Sequence, residues 1–135
     1  KEKQQTLPQL YLSDGYVKFD KVMQLQKQAS VNIILEAKGF FSPFLPGKFP
    51  HCIEANKPIL LLGPYYSEAK RLLGVNYPYW SPIDEIEKIK ELIEKMYFLW
   101  KENPTKYLLN RDDLKDYVSL KYLKFLMDNK LDEKR

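Results

Sequence analysis

The chain has 135 residues, 22 basic and 18 acidic side chains, a net charge of +4 and 44% apolar content. That length predicts one domain, and the composition excludes global disorder. The longest clean apolar run, Ile59 to Gly63, falls far short of the ~20 residues a membrane helix needs. One cysteine, Cys52, excludes an internal disulfide and, with a single histidine, leaves no standard zinc set.

Residues 1–8 are polar and carry no periodic pattern, which predicts a flexible lead-in or a cut edge. Gln9 to Leu12 is a short strand candidate, followed by turn chemistry at Ser13, Asp14 and Gly15. From Phe19 to Ala29 the apolar positions Phe19, Val22, Met23, Leu25 and Ala29 suit one face of a helix, with Asp20 in its first turn. Val31 to Leu35 is a β-branched run short enough for a buried strand, and Ile59 to Leu62 is a second, introduced by Pro58 and stopped by Gly63-Pro64. An aromatic loop and a helix over about Gly47 to Ala55 lie between them. Strands alternating with helices predict crossover units and a parallel sheet, and continuous apolar strands predict cover on both faces.

Ser67 is placed to cap a short helix ending at Gly74. Ser81, Pro82 and Asp84 read as the start of a longer helix that ends near Asn103-Pro104 and carries Ile86, Ile89, Ile93, Met96, Tyr97 and Trp100 on one face. A last helix, capped at Asn110, turns Leu114, Tyr117, Val118, Tyr122, Phe125 and Leu126 inward. Both stripes are expected to be core. The fold class is therefore α/β: a small parallel sheet, three strands starting near Gln9, Val31 and Ile59, flanked by helices in a Rossmann-like manner, with two long C-terminal helices.

No phosphate loop, dinucleotide fingerprint or nucleophile elbow is present. The lysines are interleaved with Asp and Glu, without a block of like charge, which excludes a recognisable nucleic-acid module. The chemistry is expected in Glu36 to Gly63. Ligands of open parallel sheets bind beyond the carboxyl ends of the strands, and the loop from Glu36 to Pro46 leaves such an end. It delivers Pro46, Gly47 and Lys48 to the start of a helix, where unpaired amides and the dipole favour an anion. Gly47 would let a ligand approach the backbone closely. Lys48 is unfavourable beside the positive helix end unless an anion joins it.

The stretch SPFLPGKFPHCIEANKPILLLGPYYSEAKRLLG resembles the donor-binding C-terminal domain of GT-B glycosyltransferases, of the glycosyltransferase family 4-like group. The likeness runs in order and spacing from Gly15 to Gly74 and is carried by a Ser-Pro loop, a Lys, the Lys-Pro strand start and a Ser-Glu helix. Three positions depart from the pattern. Counting back from Pro58 puts His51 where the family has its ribose-holding Glu, Pro43 stands at its earlier Glu, and Asn56 replaces the usual Gly.

The resemblance implies transfer of a sugar from a nucleotide-diphospho-sugar to a glycan or other acceptor, as in polysaccharide assembly, by a cytoplasmic protein peripheral to the inner face of the membrane. It implies that residues 1–135 are one domain, the C-terminal fragment of a two-domain enzyme whose N-terminal domain holds the acceptor. The fragment alone is then expected to be inactive and to self-associate through uncovered surface. The Ser42 to Lys48 loop, with Phe44, Leu45, Pro46 and Gly47, would hold the diphosphate and donor sugar. His51 would approach the ribose, and Tyr16 would lie near the base. No cofactor or metal is implied, and no residue of this chain is assigned a catalytic role. The competing class is a non-catalytic α/β interaction module that uses Phe40, Phe41 and Phe44 as a protein or membrane contact. A stand-alone α/β nucleotide-binding protein is a third.

Overall fold

The computed structural model describes residues 6–132, with side chains described up to residue 129; the expected lead-in falls partly outside that range. In chain order the elements are α1 (Phe19–Gln28), β1 (Asn32–Leu35), β2 (Phe41–Ser42), α2 (Phe49–Ala55), β3 (Ile59–Leu62), β4 (Tyr66–Ser67), α3 (Glu68–Leu73), β5 (Trp80–Ser81), α4 (Ile86–Glu102), α5 (Asp112–Tyr117) and α6 (Leu120–Asp132). The main sheet is parallel, in the order β1-β3-β5. Asn32 lies opposite Ile59 and Leu35 opposite Leu62, while Leu61 and Leu62 face Trp80 and Ser81. The chain is thus α/β with a small parallel sheet, as its alternation of elements predicts.

Strand β3 holds the two cores apart. Side chains alternate across a strand, so Ile59 and Leu61 join Ile34 beneath Phe49, Cys52 and Ile53 of α2, Ala69 and Leu73 of α3, and Leu114 of α5. Leu60 meets Leu92 and Met96 of α4 on the opposite face. Helices therefore lie on both faces, but the cover is complete only over β3. On β1, Asn32 and Ile34 are buried while Ile33 and Leu35 remain 52% and 55% exposed.

Several local expectations are corrected. Gln9 to Leu12 is not a strand: the segment lies outside the sheet with Tyr11 exposed. The third strand is Trp80–Ser81, because the Leu61 amide donates to the Tyr79 carbonyl and that of Gly63 to the Ser81 carbonyl. Ser81 consequently caps nothing. It is fully buried, its hydroxyl donates to the Pro82 carbonyl, and α4 begins a turn later at Ile86.

Of the expected α4 stripe only Met96 is buried, joined by Leu92, which the stripe did not include, whereas Ile86, Ile93 and Tyr97 stay exposed. The last helix is two helices, broken at Val118–Ser119, where the Ser119 hydroxyl accepts from the Tyr122 amide and starts α6. Phe125 and Leu126 of α6 are exposed. Asn110 is a left-handed link with φ of 53° rather than a cap, its amide donating to Asn56 Oδ1. Helix α1 buries no residue. It is tied to α2 by Gln26 donating to Cys52 Sγ at 3.5 Å and by the Lys27–Glu54 ion pair at 3.1 Å.

Other local signals hold. Ser67 caps α3 by accepting from the Lys70 amide at 3.1 Å, and Gly74 ends that helix with φ of 105°. Asn56 ends α2 with φ of 54°, the left-handed role for which Asn stands second to Gly.

The start of β3 has no ladder partner on its β5 side, because β5 begins opposite Leu61. Tyr77 fills the gap: its hydroxyl accepts from the Ile59 amide at 3.0 Å and donates to the Ile59 carbonyl at 2.7 Å. Burial pushes the Tyr77 pKa up, so the phenol stays neutral. Tyr77→Phe leaves both backbone groups of a buried residue unpaired on that side. The expected loss is about 1–3 kcal/mol in urea unfolding, and a loss within error of zero would show that the hydroxyl is not needed there.

Candidate functional site

In a parallel sheet of this kind every helix that follows a strand starts at the carboxyl edge, so β1, β3 and the starts of α2 and α3 bring their loops together there. The loops after β1 and β3 pair with each other. Phe41 lies opposite Tyr66 and Ser42 opposite Ser67 in a short parallel ribbon, β2–β4, that no periodicity in the sequence announces.

At the ends of the same two strands sits Glu36, only 7% exposed. A methyl group added at Gly63 would lie 2.9 Å from Glu36 Oε2 and 3.0 Å from its Cβ, so the carboxyl side chain occupies the space that the glycine leaves open. Neither carboxylate oxygen has a hydrogen-bond partner among the described residues. Burial raises the Glu36 pKa, and the neighbouring Ser67 hydroxyl offsets this in part without meeting hydrogen-bond geometry.

The residues expected to form the site are divided among the ribbon, the core, solvent and the start of α2. Ser42 lies in the ribbon. Leu45 packs against the larger core. Tyr16 (91% exposed) and Phe44 (79% exposed) reach solvent. Helix α2 starts at Phe49 rather than Gly47, and Lys48 is its helical-φ/ψ cap residue without a side-chain cap. The Phe49 amide donates to the Pro46 carbonyl and Pro50 has no amide, so this seven-residue helix offers an anion fewer donors than its sequence suggests. Lys48 Nζ donates to the Ile33 carbonyl at 3.3 Å. His51 packs edge-on against Phe19 at 5.0 Å, which joins the starts of α1 and α2. Gly47 has neither a positive φ nor any atom within 4 Å of a notional Cβ, so no contact within the protein accounts for the glycine.

A group that sequence reasoning missed lies beside the ribbon. A cleft of about 510 Å3 is lined by Phe41, Ser42, Tyr65, Tyr66, Lys70 and Arg71, among others. Arg71 is neutralised by Glu68 through two hydrogen bonds of 2.7 and 2.6 Å. Lys70 has no carboxylate partner among the described residues. Its ammonium donates to the Tyr65 carbonyl at 3.2 Å and lies 3.2 Å from the centre of the Trp80 ring, which Lys88 also approaches at 4.6 Å. Desolvation, then repulsion from Lys88, lowers the Lys70 pKa. Tyr65 donates to Glu85 at 3.0 Å and holds its ring against Trp80. The available signal was an acid and a glycine closing two apolar strands; nothing local links Lys70 to Trp80.

Among the described residues no three His, Cys, Asp or Glu side chains are grouped to hold a metal, and no helix is long and apolar enough to cross a membrane. No known protein family, curated protein or solved structure matches the chain.

Two outcomes test the Glu36 environment. Gly63→Ala is expected to cost about 1–3 kcal/mol by crowding the Glu36 side chain, and Glu36→Gly, which also removes the Cβ, should cost less in the Gly63→Ala background than alone in a double-mutant cycle; additive effects would deny the contact. A carboxyl with a raised folded pKa contributes most below its ordinary value of 4.5, and that contribution is lost as pH rises through the folded value. Glu36→Gln should therefore gain on the wild type as pH rises above the ordinary carboxyl value of 4.5 in chemical denaturation. A constant difference above that value would mean the folded carboxyl titrates normally.

Proposed function

We propose that this chain is the nucleotide-sugar-binding part of a glycosyltransferase that moves a sugar from a nucleotide-diphospho-sugar to a glycan or other acceptor. The observation that carries the reading is the convergence at the carboxyl edge of a parallel sheet. The loop after β1, the Gly47-Lys48 turn and His51 all belong to that edge, the region where open α/β sheets bind ligands. Gly47, with open space above it, suits close approach of a diphosphate. Lys48 is held only by a neutral carbonyl among the described residues, so its charge is available to an anion. His51, steadied by Phe19, is the residue for a ribose hydroxyl. Tyr16, just before α1, is the residue for the base, and the exposed loop around Phe44 serves the sugar.

On this reading the acceptor is held by another domain, and the half-exposed Ile33 and Leu35 of β1 are surface for that domain or for a second copy. The protein works at the cytoplasmic side of a membrane, on donors that need no bound metal. A second reading, a non-catalytic interaction module, draws on one observation: Phe40, Phe41 and Phe44 stand largely exposed together in the loop after β1, more apolar surface than a short solvated loop requires.

Titration with uridine and adenosine diphosphates, followed by amide chemical shifts, separates the two. Millimolar binding, about 4 kcal/mol, is expected, with shifts centred on residues 42–51. Lys48→Ala should weaken it by roughly 1 kcal/mol or more through loss of a charge-assisted hydrogen bond, without a loss of stability, since its present bond is a surface one. His51→Ala should narrow the preference for a nucleoside diphosphate over pyrophosphate. Shifts that avoid this loop, or that ignore Lys48→Ala, would favour the module.

A further inference from the structure

We propose that the cleft between the β2–β4 ribbon and α3 is a second ligand site, one that takes a phosphorylated ring, with the ring against Phe41 and Tyr66 and the phosphate on Lys70. The site adjoins the donor reading at Ser42, which lines this cleft, but neither Lys48 nor His51 does.

Three observations converge on it. The first is charge. Arg71 and Glu68 cancel each other, which leaves Lys70 as the net charge of the cleft. An ammonium has three donors; one goes to the Tyr65 carbonyl, the Trp80 ring face at 3.2 Å takes another, and the third has no acceptor among the described residues. Lys88 is close enough to repel it, and both lysines share the face-on attraction of a single indole. An oxyanion would relieve the repulsion and fill the open donor. A lysine acts on phosphate as a point charge and imposes no planar geometry on it.

The second is the wall. Phe41 and Tyr66 are 68% and 60% exposed, although they lie opposite each other in the ribbon and belong to one concave surface with Tyr65. Aromatic side chains gathered this way offer faces for a nucleobase or for the CH face of a sugar. The third is size and rigidity. About 510 Å3 falls within the range of small-ligand sites, roughly 300–1,000 Å3. The lining is also held before any ligand arrives. Ser67 caps α3, Tyr65 is fastened to Glu85 and Trp80, and Phe40 stacks edge-on against Tyr66 at 5.0 Å.

The test titrates the chain with uridine 5′-monophosphate, adenosine 5′-monophosphate, glucose 1-phosphate and inorganic phosphate, read by indole fluorescence and amide chemical shifts. At least one ring phosphate is expected to bind about tenfold tighter than inorganic phosphate. A preference for the nucleotides identifies the ring as a base, and a preference for the glycosyl phosphate identifies it as a sugar. Lys70→Met removes the charge but keeps an unbranched side chain, and Tyr66→Ala alters an exposed residue, so both should fold with unchanged circular dichroism. Each should weaken binding about tenfold, while Lys48→Ala leaves it unchanged. Failure of every ring phosphate to bind more tightly than inorganic phosphate, or binding that survives either Lys70→Met or Tyr66→Ala, overturns the site. Binding lost in Lys48→Ala but intact in Lys70→Met also overturns it and leaves the donor reading standing.

Discussion

The structure depends on the need of one buried strand to pair its backbone on both edges. Strand β3 carries Ile59, Leu60 and Leu61, all essentially without solvent contact, between two cores. A buried N–H or C=O without a partner costs as much as a lost hydrogen bond, so every group along β3 needs one. Strand β1 supplies one edge along its full length. The other edge is assembled from unlike parts: the Tyr77 hydroxyl at Ile59, then the carbonyls of Tyr79 and Ser81. A connector rich in Tyr and Pro thereby becomes part of the sheet, and α4 must begin after it.

The same strand organises the end of the molecule where ligands are expected. Gly63 closes β3 and leaves room for the Glu36 side chain from the end of β1. Beyond them the two loops pair as the β2–β4 ribbon. The ribbon divides the carboxyl edge into separate environments. The turn at Gly47 and Lys48 is open and weakly engaged, Glu36 is enclosed without partners, and the Lys70 cleft is aromatic and singly charged. An open basic turn and a preformed aromatic cleft suit different parts of a ligand, or different ligands, and the buried acid joins the two loops that carry them.

Helix α3 is held at both ends by groups distant in sequence. Ser67 caps its start, and Arg111 donates to the Leu72 and Leu73 carbonyls at its end while pairing with Asp113. Burial favours such pairing, because the last carbonyls of a helix have no partners of their own. Lys70 and Arg71, both on this helix, are thereby presented on a fixed support.

What the sequence alone determined is what depends on near neighbours. The short apolar runs made β1 and β3, Ser67 and Gly74 bounded α3, Asn56 ended α2 in a left-handed turn, and alternation of strands and helices implied a parallel sheet. Each follows from side-chain sterics or from a hydrogen bond within a few residues. Tertiary structure decided what depends on competition for partners. Trp80–Ser81 became a strand because β3 lacked one, which overrode a cap signal at Ser81; Gln9–Leu12, with no such vacancy beside it, stayed outside the sheet. Part of the α4 stripe and most of the α6 stripe remained exposed, because periodicity marks an apolar face without providing anything to cover it. The loop holding Ser42 to Lys48 was legible as a feature, but its division among ribbon, core and open turn was not. Lys70 meets Trp80 and Glu36 meets Gly63 only after two crossovers have closed, and those contacts are set by the packing of distant segments.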